Sequence, residues 1–128
     1  MNTDEHRYRE ITGGILAAAF AVSNELGVGF LESVYENALF AELTSRGLKA
    51  RQQHPLTVRY KSVVVGQYFA DLIVEDCVMV ELKHVKGIDT AHTAQCMNYL
   101  RASGLKLCLL INFGKPTIEY KRIINGIL

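Results

Sequence analysis

Three charged side chains interrupt two otherwise aliphatic runs: Asp71 in Ala70-Asp71-Leu72-Ile73-Val74, and Glu81 and Lys83 in Val78-Met79-Val80-Glu81-Leu82-Lys83. Side chains of an extended strand alternate faces, so Glu81 and Lys83 share one face while Val78, Val80 and Leu82 take the other. On the preceding run the same rule groups Asp71 with Ile73, opposite Leu72 and Val74. A three-residue loop at Glu75, Asp76 and Cys77 pairs Val74 with Val78 and sets Asp71 directly across from Glu81. Both aliphatic sets then fall on one face, which a two-residue loop would mix. The hydrophobic pattern thus selects a register that gathers Asp71, Glu81 and Lys83 on one patch of sheet.

Carboxylates in cross-strand register, with Cβ atoms roughly 4.5–5.5 Å apart, repel unless a cation or a proton lies between them. Such a pair suits a hard divalent ion. Mg²⁺ takes one or two carboxylates and fills its shell with water and phosphate oxygens, so Asp71, Glu81 and the main-chain carbonyl of Leu82 form a fitting partial cage. Lys83, one pleat further on, is placed to orient or deprotonate a water and to stabilise charge building on a phosphate. An acid-x-Lys triplet by itself is common and usually marks a cross-face ion pair. Asp71 in register is what lifts this one above that reading.

The elements that must hold these groups are legible around them. Residues 4–26 carry Ile11, Ile15, Ala18, Ala19, Val22 and Leu26 at steps of three and four, the pattern of one helical face. Gly13 and Gly14 inside that helix predict close approach of another element. A second helix over residues 31–46 buries Leu31, Val34, Tyr35, Ala38, Leu39 and Leu43 and stops at Gly47. The period then changes to two over residues 56–61, a half-buried strand whose start is restricted by His54-Pro55. Residues 63–65 and 68–74 read as an extended run broken at Gly66, and residues 78–83 as a third strand. Asp89 is the N-cap of a third helix ending at Ser103 before Gly104. Residues 107–113 form a continuously apolar strand covered on both faces, and residues 117–123 a last one after Pro116. The order predicts an α/β fold: a mixed sheet flanked by helices, in a single domain over residues 1–128.

Composition narrows the rest. The chain has 14 Lys+Arg against 13 Asp+Glu, a net charge of +1, so any contact with a polyanion must be local rather than a matter of bulk charge. Lys83, Lys86, Arg101 and Lys106 are the cations on hand for phosphate contacts. The apolar run at residues 15–22 is far short of the roughly 20 residues that cross a bilayer, and the acidic start lacks the marks of a secretory leader; both point to the cytoplasm and no membrane partner. Cys77, Cys96 and Cys108 have no C-x-x-C spacing and read as buried free thiols. No phosphate-loop, dinucleotide or serine-hydrolase motif is present. The aliphatic end, Ile123-Ile124-Asn125-Gly126-Ile127-Leu128, reads as core or as the seam of a homodimer.

With these residues assembled, the chain resembles the PD-(D/E)xK nuclease superfamily, the restriction-endonuclease-like fold. Asp71, then Glu81-Leu82-Lys83 after nine intervening residues, and an αβββαβ core with an extra N-terminal helix and C-terminal strand carry the resemblance. Upstream, Gly29-Phe30-Leu31-Glu32-Ser33-Val34-Tyr35 is similar to the GxxExxY signature of one small bacterial branch. The proline usual before the first acid is replaced by Ala70. The resemblance implies Asp71 and Glu81 as metal ligands, Lys83 as the water-positioning or electrostatic group, Glu32 as the helical acid supporting the metal shell, and Gln95 as an accessory polar group near the lysine.

On residues alone, Glu32 reads as a first-turn carboxylate favoured by the helix dipole. It shares a helical face with Tyr35, a substrate-adjacent candidate. His92, Gln95 and Tyr99 form a polar stripe on the third helix, read either as a solvated face or as the wall of a substrate groove. The resulting expectation is a Mg²⁺- or Mn²⁺-dependent phosphodiesterase acting on nucleic acid, DNA ahead of RNA. The competitor is a catalytically inactive binding or assembly module on the same fold.

Overall fold

A computed structural model describes residues 3–128. Met1 and Asn2, part of the stretch inspected for a leader, lie outside the described residues. The order is α1 (Thr3–Leu26), α2 (Glu32–Ser45), β1 (Ala50–Tyr60), β2 (Val63–Val74), β3 (Val78–Lys83), α3 (Thr90–Ser103), β4 (Leu107–Asn112) and β5 (Glu119–Ile124). The five strands form one sheet in sequential order, antiparallel except for β3 and β4, which run parallel through the α3 crossover. This is the mixed α/β sheet flanked by helices that the sequence predicts.

Two apolar clusters occupy the two faces of the sheet. Ile15, Ala18 and Val22 of α1 and Leu39 and Leu43 of α2 pack on Leu72, Val74, Val78, Val80, Leu82 and Leu109. On the other face Cys96 and Leu100 of α3 pack on Ile73, Met79, Cys108 and Leu110. Every residue of β4 is buried, as a strand covered on both sides must be. Helix α3 starts and stops where its end signals lie: Asp89 and His92 form a reciprocal capping box, and Gly104 closes the helix in a left-handed conformation with φ of +78°.

Several local expectations are corrected. Strand β1 begins at Ala50, well before the alternating stretch, and runs through Pro55, which pairs with Phe69. An edge strand tolerates a proline because the missing N–H faces away from the ladder. Strand β2 is continuous through Gly66. Its irregularity is a bulge: Val58 pairs with Gly66 but Arg59 with Val64, leaving Val65 extra. Strand β5 starts at Glu119 rather than Thr117. Gly14 does meet a neighbour, Leu48, only 3.1 Å from where a Cβ would stand, whereas Gly13 faces open space. Cys77 is only half-buried and accepts from Arg7 Nη1 at 3.3 Å, while Cys96 and Cys108 are buried and all three thiols are free. At the C-terminus Ile127 is exposed and Leu128 packs against the α1 cluster. None of the described helices is long and apolar enough to cross a membrane.

The segment leaving β3 is fastened by one buried amide. Asn112 Oδ1 accepts from the N–H of Val85 at 3.0 Å and of Gly114 at 2.9 Å, while its Nδ2 donates to the Val85 carbonyl at 2.9 Å. Asn112→Ala leaves these part-buried backbone groups without the amide, at about 1 kcal/mol each. The expected loss is about 3 kcal/mol or more in urea denaturation; an unchanged midpoint would show that the amide holds nothing.

Candidate active site

Strands β2 and β3 carry the centre of the site. The register pairs Val74 with Val78, Ile73 with Met79 and Leu72 with Val80 across a three-residue turn, so the next positions, Asp71 and Glu81, face each other. Glu75 and Asp76 in that turn have φ of +52° and +59°, as tight hairpin turns require. Lys49 and Arg51 of the neighbouring segment hold Asp76 at 3.0 and 2.9 Å. The acids interlock through the backbone: Leu82 N–H donates to Asp71 Oδ2 at 2.8 Å, and Asp71 N–H to Glu81 Oε2 at 3.3 Å.

Glu81 is 4% exposed, and its Oε1 is buried with no hydrogen-bond partner among the described residues. Burial first, then the Asp71 carboxylate, push its carboxyl up to about 10. A buried carboxyl oxygen without a partner, beside a second carboxyl, is a place for a proton or a cation. No three His, Cys, Asp or Glu among the described residues could enclose a metal by themselves. The donor set therefore fits an ion that completes its shell with water and phosphate oxygens, as Mg²⁺ does.

Lys83 donates from Nζ to Gln95 Oε1 at 3.0 Å, and Gln95 Nε2 donates to Tyr99 Oη at 3.3 Å. Glu32 stands in the first turn of α2, its carboxyl raised by partial burial and by Asp71, with Lys83 opposing. Asp71, Glu81, Lys83, Gln95 and Glu32 are thus within electrostatic or hydrogen-bonding reach of one another, from four different elements.

Two candidates fall elsewhere. Tyr35 is fully buried; its hydroxyl donates to the Gly27 carbonyl at 2.6 Å and accepts from Phe30 N–H at 3.2 Å, and its ring stacks on Phe113 at 5.0 Å. It locks the loop ahead of α2 and has no face left for a substrate. His92 leaves the Gln95 and Tyr99 stripe because its Nδ1 accepts from Asp89 N–H in the α3 cap at 3.1 Å. His84 lies against Tyr35 at 5.6 Å, away from Lys83 as strand alternation predicts.

The sequence reading missed a second group of polar residues. Glu36, nearly buried, accepts from Gln52 Nε2 at 2.9 Å and Gln53 Nε2 at 2.7 Å, and Gln53 Nε2 also reaches Asp71 Oδ1 at 3.4 Å. Burial raises the Glu36 carboxyl, the Gln52 bond opposes it, and Asp71 adds to the rise. Gln53 falls opposite Asp71 between the Gln52–Leu72 and His54–Ala70 pairs, with φ of +51°. A non-glycine residue in that region costs on the order of 1–3 kcal/mol, so the kink that aims the amide at two acids is held by its surroundings. Glu36 follows Glu32 at i+4, a like-charge pair that is unfavourable on a plain solvated helix. That spacing was its only signal.

The family model for the PD-(D/E)XK nuclease superfamily matches residues 9–123. The chain belongs to that superfamily, whose nucleases generally use divalent metal ions and take nucleic acid as substrate. Among curated proteins no match is found. The crystal structure of SSO0001 is similar in fold, with a TM-score of 0.58 and 20% identity, over 96% of this chain and 60% of that one. The chain thus spans about 60% of that relative's length.

In metal-free protein the raised Glu81 carboxyl keeps its proton where the unfolded chain has lost it. Its contribution to stability is complete below the ordinary glutamate value and is lost as pH rises toward about 10. Glu81→Gln stays neutral, so unfolding free energies from urea titrations in a chelator should match wild type near pH 4 and exceed it at pH 8, by at least about 1 kcal/mol. A parallel pH dependence in both proteins would contradict the assignment.

Proposed function

We propose that this protein is a Mg²⁺- or Mn²⁺-dependent nuclease that hydrolyses phosphodiester bonds in DNA, working as one catalytic domain over residues 1–128 in the cytoplasm. The observation that carries the reading is the opposed Asp71–Glu81 pair, one oxygen of it buried and unpartnered, with Lys83 on the same strand. Asp71, Glu81 and the Leu82 carbonyl are the groups that would hold the ion. Bound there, a divalent ion supplies Lewis acidity to the phosphodiester and to the attacking water.

The chain's own residues supply the rest. Lys83, held by Gln95, stabilises negative charge on the phosphate as water attacks phosphorus and the ester P–O bond breaks. Glu32 sits where it can hold water at the edge of the carboxylate pair. Membership of the GxxExxY branch is part of the proposal; it is supported by Gly29 at φ of +112°, by the influence of Asp71 and Lys83 on the Glu32 carboxyl, and by Tyr35 tying down the loop ahead of α2.

The reading predicts cleavage of plasmid or oligonucleotide DNA with Mg²⁺ or Mn²⁺, abolished by chelation. Asp71→Ala and Lys83→Ala should each slow it by about 10²–10³-fold or more. Unchanged rates in both variants, or no cleavage by wild type with either ion, would leave the noncatalytic module as the account.

A further inference from the structure

Beside the carboxylate pair, between the β1–β2 hairpin and α3, lies an open cleft of about 880 Å³. Short side chains on α3, such as Ala94 and Ala102, line this face and leave the space toward the hairpin unfilled. Arg59 and Tyr68 come from the hairpin, and Gln95, Tyr99 and Arg101 from the helix. The cleft is continuous with the site, because Gln95 lines it while accepting from Lys83.

Its chemistry is specific in two respects. The first is unspent positive charge. Arg9, Arg46 and Arg51 each pair with a carboxylate at the surface. Arg59 and Arg101 have no carboxylate within ion-pair distance among the described residues; Arg101 reaches only the Asn98 amide oxygen, at 3.3 Å. No Asp or Glu is among the described residues that line the cleft.

The second is an aromatic surface. Tyr68 and Tyr99 meet with ring centroids 5.6 Å apart, and Tyr68 is 48% exposed. Tyr99 is fixed by Gln95, so Lys83, Gln95, Tyr99 and Tyr68 form a connected path from the site onto that surface.

Exposed aromatic faces flanked by free guanidinium groups complement the alternation of base and phosphate in a single strand. A duplex hides its base faces in its own stack and cannot use them. We propose that this cleft binds an unpaired strand of nucleic acid, with a base stacked on Tyr68 and phosphates held by Arg59 and Arg101, and leads it to Lys83. The substrate class follows from the nuclease reading, whereas the binding itself does not require cleavage.

Fluorescence anisotropy in a chelator tests it, with labelled oligothymidylate, the same length of abasic strand, and duplex of the same length. Oligothymidylate should bind more tightly than either, and Tyr68→Ala should weaken it by about tenfold or more. Tyr68→Trp should retain it, and Arg59→Gln with Arg101→Gln should flatten the salt dependence. A ribonucleotide strand run alongside assigns the sugar; stacking-dependent binding of either supports the proposal. Equal binding of duplex or abasic strand, or normal binding by folded Tyr68→Ala, overturns it. Mn²⁺ is then added to separate the two ideas. Stacking-dependent binding without cleavage rejects only the nuclease reading, and cleavage unaffected by Tyr68→Ala and Arg59→Gln rejects only the cleft.

Discussion

The structure depends on one electrostatic conflict: two carboxyl groups set against each other on neighbouring strands, one of them almost fully removed from water. Glu81 is 4% exposed and accepts from the Asp71 backbone N–H, while Asp71 accepts from the Leu82 N–H, so each carboxyl is tied to the other strand's backbone. Leaving a carboxylate charged in such a place is costly unless something positive balances it. Burial and then the Asp71 carboxylate push the Glu81 carboxyl up to about 10, so without a cation it keeps a proton. The Lys83 ammonium, on the same strand as Glu81, donates to Gln95. In the proposed nuclease reading, a divalent cation would take the place of that proton between Asp71 and Glu81.

The rest of the fold maintains that arrangement. The apolar faces of β3 are clamped between α1 and α2 on one side and α3 on the other, so Val78, Val80 and Leu82 fix which way Glu81 and Lys83 must point. The turn at residues 75–77 carries surface ion pairs from Lys49 and Arg51 to Asp76, while the apolar pattern of the two strands fixes the register. Asn112 then binds the segment just beyond Lys83 to β4. Helix α3 is shared between two tasks, since Gln95 and Tyr99 reach from the lysine to the cleft wall.

Strand β3, helix α3 and the Asp71–Glu81 register were legible because each is dictated by local rules. These are strict alternation of aliphatic residues, an Asp cap with a Gly stop, and a turn length that keeps apolar faces together. The start of β1 was not, because Arg51 to His54 is polar on both faces and shows no apolar alternation, pairing as a sheet edge. Gly66 looked like a break because glycine weakens a strand, yet the bulge one residue away absorbs the irregularity. Gln53 and Glu36 escaped notice because their positions arise from a backbone kink and from packing between distant segments. Tyr35 and His92 were placed correctly on their helices, but spacing does not reveal that a loop carbonyl and a helix cap already use their polar atoms.

The central claim concerns what neutralises the carboxylate pair when the protein works. Its most direct test is a crystal soaked in Mn²⁺ and measured for anomalous scattering. The account predicts one strong peak bridging the Asp71 and Glu81 side chains, with the formerly solitary Glu81 oxygen turned onto it. A map with no peak there, and the Asp71 and Glu81 side chains unmoved, would contradict it.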